Sequence, residues 1–175
     1  MTSLWLVAVL TALAILPVLL VEIPAMLDYP NHLARMYLLA ASGTPNENPY
    51  YAVTWKLNSN LAMDIVVSAL AQFTNVAIAT NAFLAISQIL VVSGSVALEM
   101  VVKGRHEFSG FAAAMALYCI PFAFGFLNFE FAMGLALWGI ASWFALENRN
   151  FYIRVVAHSL FVFCIFVSFA LTSKI

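Results

Sequence analysis

The sequence predicts an all-α membrane protein: a bundle of about five transmembrane helices with a long external first loop that carries short juxtamembrane helices. Three observations carry that reading. Of the 175 residues, 65% are hydrophobic and only 9% are charged, far from the balance that keeps a soluble domain in water. The apolar residues gather into runs long enough to cross a hydrocarbon core. The remaining polar residues concentrate in a single segment near the start of the chain. With a formal net charge of −1 there is no basic field for nucleic acid, and that partner class is excluded.

The first run, residues 3–21, has no positive residue before its apolar core. That core is also longer than the apolar region of a secretory signal, so a retained spanning helix is expected. The external loop, residues 22–75, holds Pro24, Pro30, Pro45 and Pro49 and most of the asparagines. Within it, Pro30 suits the first turn of a helix, where its missing N–H would be unpaired anyway, and Gly43 suits the end. A helix from Pro30 to Ala41 follows. Further on, "NLAMDIVVSALAQF" is apolar enough to be taken for a short span. However, Asn60, Asp64, Ser68 and Gln72 recur every four positions beside a stripe of Leu61, Ile65, Ala69 and Phe73. This pattern predicts an amphipathic helix lying at the interface, with Asp64 on a wet face.

The remaining spans are expected at 76–102, 108–124, 127–146 and 151–171. If the amphipathic helix does not cross, Lys103, Arg105, Arg149 and Arg154 all fall on one side, as the positive-inside rule requires. The N-terminus is then cytoplasmic and the long loop external. Glu99 is spaced to pair with Lys103 one turn later. Cys119 and Cys164 sit in apolar runs without metal or disulfide spacing. No repeat or linker divides the chain, so residues 1–175 are expected to form one membrane domain. The terminal "FVFCIFVSFALTSKI" stops as a helix emerges, and a chain truncated at that end is expected.

The chemistry is concentrated in "LDYPNHLAR". Asp28, His32 and Arg35 are spaced i, i+4 and i+7, which lets them share one face of a helix near the membrane surface. The order of parts resembles the GT-C superfamily, multi-spanning membrane glycosyltransferases that use polyprenyl-phosphate sugars. The resemblance runs from an N-terminal span to an acid at the head of the first external loop, here Asp28 with His32. It continues through a short helix carrying Arg35, the "NPYY" turn, the juxtamembrane "NLAMDIVVSALAQF" and a span ending in basic residues. The hairpin "GFLNFEFAMGLALW" is similar to a stretch in uncharacterised bacterial members.

This resemblance implies a bacterial inner-membrane enzyme in which Asp28 is catalytic, as a base toward the acceptor hydroxyl or as the ligand of a divalent cation. His32, Arg35 and Glu130 would bind substrate, with the guanidinium suited to a lipid phosphate. The usual second carboxylate beside the acid is missing, since Tyr29 follows Asp28.

Bland alternatives accompany each residue. Asp28 suits a helix cap, Arg35 suits a headgroup contact, and Glu130 suits a solvated hairpin tip. The phenylalanines and tryptophans suit contact with membrane lipid. The competing function is a non-catalytic integral membrane component, either an assembly partner or a transporter subunit. A transporter should show broken helices or polar residues at mid-membrane.

Overall fold

The computed structural model describes residues 4–56 and 60–169, and among these the only regular structure is helical. Eight helices follow one another: α1 Leu4–Leu20, α2 Tyr29–Ala41, α3 Ala62–Leu70, α4 Val76–Lys103, α5 Ser109–Ala116, α6 Ile120–Phe124, α7 Leu127–Ala145 and α8 Phe151–Ser168. The predicted helix at Pro30 begins one residue earlier, with Pro30 in its first turn. The expected limits at 1–3 and 170–175 lie outside the described residues.

Two helices, α4 and α8, are long and apolar enough to cross a membrane. The other expected spans fall short for different physical reasons. Helix α1 has 17 residues. Helix α7 carries Asn128, Glu130, Gly134 and Gly139 within its 19 residues, which dilutes its apolar character. The run 108–124 is not one helix at all. It breaks at Leu117–Cys119, and Pro121 in the first turn of α6 has no N–H to carry the helical ladder across.

Helix α4 is the axis of the bundle, contacting α1, α2, α3, α5 and α7. It starts on an Asn75 cap whose side chain accepts from the Ile78 N–H at 2.8 Å, and it stops at Gly104 in the left-handed conformation that glycine takes freely. Helices α4 and α7 run parallel, with Gly94 against Leu137 and Gly134 against Leu90. Helix α8 returns antiparallel to α7, with the Arg154 guanidinium 3.9 Å from the Trp143 ring and its Nε donating to the Trp143 carbonyl.

The two ends of the bundle differ. At one end Glu99 pairs with Lys103 at 3.0 Å, as its spacing predicts, and also accepts from the backbone N–H groups of Glu107 and Ser109, so it caps α5 from a neighbouring helix. Lys103 in turn holds the Glu107 carboxyl below the usual carboxylate range. At the other end the long loop is tied down by its own backbone. The Leu27 and Asp28 N–H groups donate to the Ala123 and Phe124 carbonyls, and the Leu61 N–H donates to the Val167 carbonyl at 2.9 Å. Tyr29, fully buried, donates its hydroxyl to Asn81 of α4, whose amide reaches the Val21 carbonyl. Burial of that phenol pushes its pKa up to about 12.

Helix α3 does not cross the bundle, as expected, but it turns a different face inward. The buried residues are Ala62, Met63, Asp64 and Val67, while Ile65 is 50% and Phe73 89% exposed. The apolar stripe of Ile65 and Phe73 thus faces outward, and Asp64, expected on a wet face, is buried instead. The polar row does not turn wholly to solvent, because Asp64 is buried in a pair with Arg35.

Candidate functional site

Beneath the loop is a cavity of about 480 Å³, lined by Asp28, His32 and Arg35 from the start of α2, Thr54 and Lys56 from the loop, and Asp64 from α3. Its floor is the beginning of α7, where Phe126, Leu127, Asn128 and Phe129 follow the turn out of α6, and Phe169 closes the side after α8. These groups come from segments that are far apart in the sequence. The fold brings them together because the ends of α6 and α8 and the starts of α2, α3 and α7 meet at one end of the bundle.

Asp28 occupies the residue before α2, yet its side chain makes no cap bond. Its carboxylate instead accepts from the Asn31 amide at 2.8 Å and lies 3.3 Å from His32 Nε2. The cap alternative is therefore absent here, and Asp28 and His32 form a close pair on the cavity wall. Their side chains are 42% and 21% exposed, so both remain within reach of a ligand.

Arg35 is used differently from a free phosphate ligand. Its Nε and one terminal nitrogen grip the two oxygens of Asp64 at 2.9 and 2.5 Å, a fork-to-fork pair. These bonds hold the guanidinium pKa above its ordinary value. Asp64 is 3% exposed in its side chain and Arg35 is 57% exposed, so the carboxylate is the buried partner. Asp64 of α3 thus lines the same cavity as Asp28, with its carboxylate taken up by Arg35. The cavity lining holds Arg35 and Lys56 against Asp28 and Asp64, so its formal charges balance with His32 neutral.

Glu130 lies elsewhere. It is on α7 two residues beyond Asn128, 5% exposed, and lines a different cavity between α4, α7 and the α5–α6 break. Successive helical residues point about 100° apart, which separates Glu130 from the cavity reached by Asn128 and Phe129. A solvated position at a hairpin tip is excluded for the same reason.

Asn128 is a residue the motif reading missed. Its side-chain oxygen accepts from the Met63 N–H at 2.9 Å and its amide donates to the Asn60 carbonyl at 3.2 Å, which fixes the first turn of α3 and so the place of Asp64. An asparagine between leucine and phenylalanines at the head of an apolar helix was the available signal. A divalent cation fits these donors poorly. Asp64 is already occupied by Arg35 and Asp28 by Asn31 and His32, and among the described residues no three His, Cys, Asp or Glu side chains converge.

The Asp28 turn rests on Gly125, which has φ +79° and would place a Cβ 3.2 Å from the Asp28 and Tyr29 nitrogens. Gly125→Ala is expected to destabilise the protein by about 2 kcal/mol in urea unfolding, more than Gly43→Ala. Gly43, at φ +72°, has nothing within 4 Å of such a Cβ and bears conformational strain alone. Equal losses at the two positions would mean that the Asp28 turn yields freely. No protein-family model, curated protein or solved structure matches this chain.

Proposed function

We propose that the chain forms the membrane core of a GT-C-like glycosyltransferase that moves a sugar from a polyprenyl-phosphate donor to an acceptor at the external face of a bacterial inner membrane. One observation carries the reading: the Asp28 carboxylate stands in capping position without capping, and faces a polar cavity beside His32 and two cationic side chains. Inverting transfer needs a carboxylate to take the acceptor proton while the sugar carbon is attacked, and a positive group to offset charge on the departing lipid phosphate. Asp28 is suited to the first task, with His32 orienting it or sharing the proton. Lys56 and the free edge of Arg35 are suited to the second.

The five-span arrangement belongs to this proposal. Its support is the exposed apolar surface of α1 and α8, where Trp5 is 81% and Leu20 73% exposed, a surface that membrane lipid would cover. The gathering of Lys103, Arg105, Arg149 and Arg154 at the end away from the loop supports a cytoplasmic N-terminus.

The test is transfer from a panel of labelled polyprenyl-phosphate sugars in membranes carrying the protein or Asp28→Asn. The variant is expected to insert normally and to lose about 10² to 10⁴ of the rate. Equal rates in both would remove Asp28 from the chemistry, and no transfer in either would favour the non-catalytic component.

A further inference from the structure

The cations at the end of the bundle away from the loop are treated unequally by the fold. Lys103 lies between Glu99 and Glu107, each at 3.0 Å, and Arg105 pairs with Glu107 at 2.6 Å, so both of these charges are met within the protein. Arg149 and Arg154, where α7 turns into α8, form no ion pair among the described residues. Arg154 is nevertheless held in place. Its Nε donates to the Trp143 carbonyl at 3.0 Å, and its guanidinium lies 3.9 Å from the centre of the Trp143 ring. These restraints use one N–H and one face of the guanidinium plane. The N–H groups on its two terminal nitrogens have no partner among the described residues, although the residue is half-buried. A fork of donors fixed in advance is suited to two oxygens of one phosphate.

Its position adds to the demand for an anion. Arg154 is in the first turn of α8, where the positive end of the helix dipole disfavours a cation, and that turn contains no acidic residue. Glu147 is exposed and pairs with neither arginine, and with it counted the turn still carries one net positive charge. By contrast, Glu99, Lys103, Arg105 and Glu107 balance one another. Phe144, Phe151 and Tyr152 are exposed around the same turn, an aromatic fringe of the kind that sits at the level of lipid headgroups. Apolar rings beside unpaired guanidinium groups match a ligand that has both a phosphate and a hydrocarbon part.

We propose that the α7–α8 turn binds the headgroup of an anionic phospholipid, with Arg154 gripping the phosphate, Arg149 adding attraction, and the lipid's apolar part against Phe151 and Tyr152. Basic surfaces between helices at the cytoplasmic side of a membrane hold anionic lipids in this way. The inference rests on the membrane-spanning part of the proposed function and is independent of sugar transfer.

The test offers the full chain equal amounts of phosphatidylglycerol and phosphatidylcholine in liposomes, and counts the lipids that stay bound by native mass spectrometry after transfer to detergent. Retention of phosphatidylglycerol about tenfold over phosphatidylcholine is expected, falling to about twofold in Arg154→Gln. Arg105→Gln removes a charge at the same end of the bundle, but one already paired, and is expected to keep the tenfold preference. Equal retention of the two lipids by the parent chain would overturn the proposal, as would an undiminished preference in Arg154→Gln. An equal fall in Arg105→Gln would show a general response to basic charge and overturn the assignment to this turn. Should Arg154→Gln fail to fold, Arg154→Lys decides, because it keeps the charge but loses the fork: an unchanged preference overturns the role given to the guanidinium. A chain that resists alkaline extraction from the liposomes yet shows no preference removes the lipid site alone, whereas a chain that never inserts removes the spanning reading and this site with it.

Discussion

Arg35→Met is expected to cost on the order of 2 kcal/mol of folding stability, while Asp64→Leu, which removes the other half of the same ion pair, costs less than half of that. The asymmetry follows from burial. Losing the arginine leaves the Asp64 carboxylate, 3% exposed, without its two donors, and an unpaired buried charge is the expensive outcome. Losing the aspartate frees a guanidinium that is already 57% exposed and can turn to solvent. That exposure also keeps the loss below the 3 to 5 kcal/mol typical of fully buried pairs, at about 2 kcal/mol. The double variant Arg35→Met with Asp64→Leu is therefore expected to be more stable than Arg35→Met alone. Urea unfolding of the purified chain measures all three. A larger loss in Asp64→Leu than in Arg35→Met would mean that Asp64 holds α3 through something other than Arg35.

This pair also marks how far the sequence could be read. Pro30 and Gly43 announced α2 because their effects are local: a fixed φ without a donor at one end, a left-handed residue past the other. The failure of "NLAMDIVVSALAQF" to cross was legible from its polar spacing. Its inner face was not, because Met63 and Val67 are no more apolar than Ile65 and Phe73. The choice is made by Arg35, 29 positions away, and a nonlocal ion pair leaves no periodicity in either segment.

The candidate site was legible to a similar depth. The i, i+4 spacing of Asp28 and His32 predicted a pair that the structure contains, since one helical turn suffices to form it. Lys56, Asp64 and Asn128 were missed because they reach the cavity from separate segments that only the tertiary fold brings together. The break in 108–124 was hidden by hydropathy, which registers Pro121 as one weakly polar residue and not as a lost N–H. That break is also where the cavity beside Glu130 lies, lined by Leu117, Cys119 and Pro121.

Gly134→Val is expected to be the most damaging single change in the helical core, with a loss of about 3 kcal/mol or more. A Cβ on Gly134 would lie 2.6 Å from the Leu90 Cβ and 3.0 Å from backbone atoms of Leu90 and Val91. The Leu90 Cβ is fixed by its backbone, so all three contacts can relax only if α4 and α7 move apart. Gly94 presses on α7 from the other helix, where a Cβ would meet the Leu137 Cβ at 2.8 Å, so the two helices approach through paired small residues. Separation would not stay local. Asn128 on α7 holds the first turn of α3, and α3 packs on α4, so widening the gap pulls Asp64 away from Arg35. Gly139→Val is the control within the same helix. Its Cβ would meet Phe161 at 3.1 Å, a distance that a shift of a few tenths of an ångström relieves, and a loss of about 1 kcal/mol is expected. Thermal unfolding of the two variants, followed by tryptophan fluorescence, separates them. Equal losses would show that α4 and α7 can part without disturbing α3, and would break the link between the helical core and the cavity above it.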